Sequence, residues 1–82
     1  MTEYRFLNIR DVGFLISCKR SSIYRWIRDG VFPPPIKRGK SSSVWGSDEV
    51  AEWMDATRRG VDGDEMRLMV ARIVAKRKSG GL

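Results

Sequence analysis

The sequence predicts a mainly α-helical domain carrying a small β-hairpin, and three observations predict it. Apolar residues recur at helical spacing in four segments. Three consecutive prolines, Pro33, Pro34 and Pro35, break that pattern midway. Beyond them, two short stretches suited to strands, Ile36 to Arg38 and Ser43 to Trp45, flank a turn of small residues. The chain has 82 residues, a length at which folding buries only roughly 60% of the unfolded surface. One small core is therefore expected, with residues 1–60 as the principal domain and 61–82 as an added helix and tail.

Each element has its own local cause. Residues 4–9 read as a short extended lead-in, and Asn8 with Asp11 three residues on is a variant of the capping box that opens a helix. Ile9, Val12, Leu15 and Ile16 then follow at helical spacing, giving a first helix over about 9–17. Gly13 costs about 1 kcal/mol against Ala inside a helix; either another helix packs closely there or the glycine is simply tolerated. Ser17, Cys18 and Lys19 form a break, with Cys18 as an apolar plug between two helices. The second helix covers 20–29, and Gly30 ends it in the left-handed region. Ile23 and Ile27 face the core, while Arg20, Tyr24 and Arg28 share another face, with Ser21 and Arg25 beside it. Two helices joined by about three residues make a helix-turn-helix.

The prolines lack N–H donors and restrain their predecessors, so 32–35 runs extended. The ribbon that follows places Lys37, Arg38 and Lys40 near its tip. Ser47 reads as the N-cap of a third helix, with Asp48 and Glu49 where the helix dipole favours acids, Arg58 and Arg59 in the last turn, and Gly60 beyond. Val50, Trp53, Met54 and Thr57 line its inner face, and Asp48, Glu49, Glu52 and Asp55 its solvated face. Asp62 and Glu65 are spaced as another capping box, opening a fourth helix over about 63–78. Met66, Met69, Val70, Ile73 and Val74 make its apolar stripe, and 79–82 reads as a frayed tail. Trp26, Trp45 and Trp53 are candidate stacking platforms for single-stranded nucleic acid, but two of them fit helical or strand-end core positions, and a small domain needs large side chains to fill its core.

The charge is unevenly placed. Sixteen Lys plus Arg against ten Asp plus Glu give +6. Residues 1–40 hold nine cations and three acids, whereas 41–82 hold seven of each, so the first half carries the whole excess. Lys19, Arg20, Arg25, Arg28, Lys37, Arg38 and Lys40 face only Asp29 within one short window. A phosphate backbone suits such a window because each docked cation releases condensed counterions; an anionic membrane would also be attracted, and a plain solvated face is the remaining reading. With no His and a single Cys, the commonest general base, an internal disulfide and a thiolate zinc site are all excluded. No enzyme chemistry and no cofactor are expected. Glu3 and Arg5 interrupt any apolar leader, and no apolar run approaches the roughly 20 residues of a membrane span.

Helix-turn-helix, bend, basic ribbon and a following helix with a Trp together form a winged helix-turn-helix. The run Arg20-Ser21-Ser22-Ile23-Tyr24-Arg25-Trp26-Ile27-Arg28-Asp29-Gly30-Val31-Phe32-Pro33, followed by Ile36-Lys37, Gly39, Trp45 and Ser47 to Trp53, resembles AlpA-type phage regulators and the small excisionases with a MerR-like DNA-binding fold. The resemblance covers about residues 6–58. Ser17 stands where that family usually has Gly, and Lys19 where it usually has a Ser N-cap, so the second helix is expected either to start at a shifted position or to be capped by Ser17 or Ser21. Ser41 and Val44 replace wing positions that often carry Arg, so wing contact rests on Lys37, Arg38 and Lys40.

The resemblance implies a sequence-specific double-stranded DNA-binding protein of a phage or integrated element, acting as transcriptional regulator, excisionase or both, in the bacterial nucleoid. Arg20 and Arg25 are the expected base readers, since Arg pairs with guanine O6 and N7. Ser21, Ser22 and Tyr24 are expected on phosphates, which set register, with Lys19 as a further phosphate contact. Arg28 belongs to the same helix but also compensates its dipole. Self-association through 63–78, or cooperative binding, would supplement one small interface; an integrase is the partner implied for excision. Two other uses remain open: the DNA-binding module of a small terminase subunit or plasmid-partition factor, and an adaptor that turns its basic face to an acidic protein.

Overall fold

Asn8 opens the first helix in the manner its sequence context predicts. In the computed structural model, which describes residues 4–79, its side-chain oxygen accepts from the Asp11 N–H at 2.8 Å, and the Asp11 carboxylate accepts from the Asn8 N–H at 3.4 Å. This helix, α1, spans Ile9–Ile16. It ends before the expected Ser17 because that residue turns into the left-handed region at φ 57°. Gly13 is there for packing: a Cβ on it would lie 2.9 Å from the carbonyl oxygen of Cys18. The turn therefore folds back on α1 and enters the second helix, α2, at Arg20–Arg28. Neither Ser17 nor Ser21 caps α2. Lys19 takes the cap position in an extended conformation, without a side-chain bond.

The strands depart from the expected ribbon in number. The N-terminal lead-in forms β1, Phe6–Leu7, and the hairpin supplies β2, Ile36–Arg38, and β3, Ser42–Gly46. Both pair antiparallel with β3, in the order β1-β3-β2. Leu7 sits opposite Trp45, and both are buried, so the added strand joins because it brings another apolar side chain to the same face. Ser47 locks it there. The Arg5 N–H donates to Ser47 Oγ at 2.9 Å, and the Ser47 N–H returns a bond to the Arg5 carbonyl at 2.8 Å. This corrects the expected cap. The third helix, α3, spans Ser47–Arg59 with Gly46 at its N-cap and no side-chain capping bond, because the serine hydroxyl holds the strand instead.

The core gathers Leu7, Val12, Ile23, Phe32, Trp45 and Val50. Phe32 is wedged edge-on between Trp45 and Trp53, at 6.4 and 5.0 Å between ring centroids, and Trp26 stacks on Trp53 at 5.7 Å. The indole N–H groups of Trp45 and Trp53 are bonded inward, which is what core positions require. On α3, Thr57 does not join the inner face as its spacing predicts. It is exposed, with its hydroxyl donating to the Trp53 carbonyl at 2.9 Å, and Ala56 is buried in its place.

The fourth helix, α4, spans Gly63–Ser79, one residue past its expected end; of the expected tail, residues 80–82 lie outside the described part. Asp62 caps its start by accepting from the Glu65 N–H at 2.8 Å. Met66, Met69 and Ile73 pack with Ala56, against Val31, Trp53 and Val61, so the stripe read from the sequence is seated on the chain's own domain. Among the described residues no helix is long and apolar enough to cross a membrane.

Candidate nucleic-acid interface

The two faces of α2 differ sharply. Ile23 is fully buried and Ile27 and Trp26 pack partly against the core, which fixes the rotation of the helix. As a result Arg20, Ser21, Tyr24, Arg25 and Arg28 are all exposed, and Ser22 is half-buried at their margin. Lys19 is exposed at the N-terminal end. One helix thus presents three guanidiniums, a phenol and short hydroxyls to solvent. Arg25 and Arg28 fall in its last turn, where a cation also opposes the partial negative charge of the helix end.

The hairpin sorts its three cations apart. Lys37 pairs across the ladder with Ser43 and its ammonium donates to the Ser43 hydroxyl at 3.2 Å. Arg38 leaves from the other face, because successive strand residues alternate. Its guanidinium carbon lies 5.4 Å from the centroid of the Phe6 ring, a cation–π distance. Arg38 is therefore held over the sheet instead of standing free at the tip. Lys40 occupies the tip, exposed, in a turn made possible by Gly39 at φ 75°.

Charge pairing follows the division seen along the chain. The ion pairs among the described residues are Arg59 with Asp55, Arg67 with Asp64 and Arg77 with Glu49. All lie in the half whose charges balance. None of the cations on α2 or the hairpin is neutralised by such a pair among the described residues, so their field reaches solvent. Glu49 departs from its expected solvated role, since its carboxylate accepts from Arg77 at 2.9 and 2.8 Å with both side chains largely buried.

One residue escaped the sequence reading. Arg10, exposed in the first turn of α1, lines a shallow groove with Ile9, Gly13, Cys18 and Arg20. The fold brings it beside the start of α2 only because the turn closes on Gly13. The signal available was a cation one position after the first apolar residue of a capped helix, which is too common to single out.

Residues 5–58 match the family described as Prophage CP4-57 regulatory protein (AlpA). The chain belongs to this family. The AlpA match begins at Arg5, whose backbone is tied to Ser47, and ends in the last turn of α3, so it contains every expected contact residue and excludes α4. A protein of Enterobacteria phage P4 designated ORF88 is 41% identical over 54 residues, an alignment covering 66% of this chain and 61% of the relative. The chain thus spans about three fifths of the length of that phage protein. No solved structure gives a significant match.

Proposed function

We propose that this AlpA-family protein is a sequence-specific double-stranded DNA-binding regulator of a phage or integrated element, built as a winged helix-turn-helix. In this reading α1, the turn at residues 17–19 and α2 form the helix-turn-helix, and β2 with β3 forms the wing. The observation that carries it is the unneutralised cationic face of α2 and the hairpin on a chain whose remaining half is neutral. An α-helix fits the major groove of B-DNA, and a two-pronged Arg contact to guanine supplies about 1–3 kcal/mol of discrimination. Arg20 and Arg25 take that role. Ser21, Ser22 and Tyr24, with Lys19 and Arg10, hold phosphates, and Lys37, Arg38 and Lys40 follow the backbone beside them.

Transcriptional control and excision use the same contacts and differ in where the sites lie. A second molecule, or an integrase, has an apolar surface available on α1, where Phe14 is 86% exposed and Leu15 46%. Footprinting on the element's attachment sites and on its integrase promoter tests the reading. Repeated protected sites on an attachment arm indicate excision, and protection confined to a promoter indicates regulation. Absence of binding at low salt to any duplex refutes the DNA reading and leaves the protein adaptor.

A further inference from the structure

Residues 29–35, which join α2 to the hairpin, have almost no regular structure of their own, and three of them are prolines. Four of their seven carbonyl oxygens are nonetheless held by side-chain N–H donors from elsewhere in the fold. Arg67 Nε donates to the Asp29 carbonyl at 3.1 Å, Trp53 Nε1 to Val31 at 2.8 Å, Trp45 Nε1 to Pro33 at 2.8 Å and Arg77 Nη2 to Pro34 at 2.8 Å. Two of these four donors come from α4, which lies outside the family match. Each makes a second contact. The stem of Arg67 lies over Gly30, whose Cβ would sit 3.7 Å from its Cγ, and its guanidinium also pairs with Asp64. Arg77 is gripped by both oxygens of Glu49, with side chains 19% and 14% exposed.

The Asp29 carbonyl is at the C-terminal end of α2, where a cation satisfies backbone acceptors that the helix leaves open. The Pro34 carbonyl lies two residues before β2. Arg67 and Arg77 therefore hold opposite ends of one linker to one helix. From this we infer that α4 is a brace that sets the placement of α2 relative to the hairpin, and that Arg67 and Arg77 are positioning residues for DNA discrimination without touching DNA. This rests on the DNA-binding reading above. The hairpin's phosphate contacts set the register in which Arg20 and Arg25 on α2 meet base edges, so discrimination needs the two elements correctly placed, whereas attraction to the uniform backbone carries no sequence information and survives a shift between them. Loosening the brace accordingly lowers the preference for one sequence more than it lowers binding to duplex DNA in general.

Glu49→Gln separates this effect from simple electrostatics. It weakens the grip on Arg77 while making the chain more positive, so a charge effect alone tightens binding to every duplex. Arg67→Gln loosens the other end at a partly exposed site. The probes are a duplex selected by the parent protein from a random pool and a scrambled duplex of equal length, with circular dichroism melts to establish that each variant is folded at the assay temperature. The expected result is that both variants lose about tenfold in the ratio of the two affinities, the equivalent of one good base contact, while Glu49→Gln binds the scrambled duplex as well as the parent or better. Faster amide exchange at Val31, whose N–H donates to the Trp26 carbonyl at 2.9 Å, accompanies the loss in Glu49→Gln. A ratio kept within about twofold in folded variants overturns the inference. If Glu49→Gln does not fold, Arg67→Gln decides by the same ratio. Failure of the parent to enrich any duplex from the pool overturns the DNA reading itself and is distinguishable from both outcomes.

Discussion

Replacing the three tryptophans one at a time by phenylalanine should give three different losses of stability. Trp45 is fully buried, and its indole N–H donates to the Pro33 carbonyl at 2.8 Å. Phenylalanine leaves that buried acceptor without its donor, at about 1–3 kcal/mol. Losing the pyrrole ring removes roughly 40 Å² of buried apolar contact, or about 1 kcal/mol at about 25 cal/mol per Å². Trp45→Phe should therefore cost about 2–4 kcal/mol in all. In a domain of this size that lowers Tm by about 10–25 °C. Trp53 makes an equivalent bond to Val31, but in a partly buried setting, so its loss should come to about 1–2 kcal/mol. Trp26 has no side-chain hydrogen bond among the described residues and stacks on Trp53, which makes its replacement worth about 0.5–1.5 kcal/mol. Urea unfolding followed by far-ultraviolet circular dichroism measures all three, since the probe does not depend on the residue removed. Equal losses, or a larger loss at Trp26 than at Trp45, would refute the hydrogen-bond reasoning. A selective loss of single-stranded DNA binding with unchanged stability would restore the stacking-platform reading.

Other perturbations probe the turn and the charged face. Gly13→Ala gains about 1 kcal/mol of helix propensity but places a methyl 2.9 Å from a backbone oxygen, an overpacking cost of about 1–3 kcal/mol, so a net destabilisation of up to about 2 kcal/mol is expected in the same urea assay. Ser17→Gly should raise stability by up to about 1 kcal/mol, because the left-handed conformation at φ 57° costs a residue with a Cβ about 1–2 kcal/mol, partly offset by greater freedom when unfolded. Arg20→Ala and Arg25→Ala should each weaken binding to a selected duplex by about 1–3 kcal/mol and relax the preference at one base position; wild-type affinity in both would end the major-groove assignment. Lys40→Ala should reduce the slope of log affinity against log salt by about one while leaving sequence preference intact, as measured by titrations across salt concentrations.

The helices, the capping box at Asn8, the cap at Asp62 and the placement of charge were legible in the sequence because each depends on neighbours three or four positions away or on composition alone. Asn8 with Asp11, Ile23 with its exposed counterparts and Gly60 at φ 74° are local facts. The misread residues are those with a choice of partners. Ser47 has the right type and position for an N-cap, yet its hydroxyl goes to Arg5, 42 residues away. Thr57 has the right spacing for the inner face, but α3 packs against α4 as well as the sheet, which favours the small Ala56. Glu49 reads as one more surface acid, and only the return of α4 gives it Arg77, 28 residues on.

By itself the sequence determined four helices, a proline-broken linker, a hairpin and a cationic half, since backbone periodicity, capping and charge are written in adjacent residues. Tertiary structure alone decided that β1 completes a three-stranded sheet, that Arg38 rests on Phe6, and that the carbonyls of the linker are held by Trp45, Trp53, Arg67 and Arg77. The reason is physical. A buried or half-buried polar group takes whichever partner the packing brings within hydrogen-bonding distance, and a pairing such as Arg77 with Pro34, 43 residues apart, leaves no periodic trace along the chain.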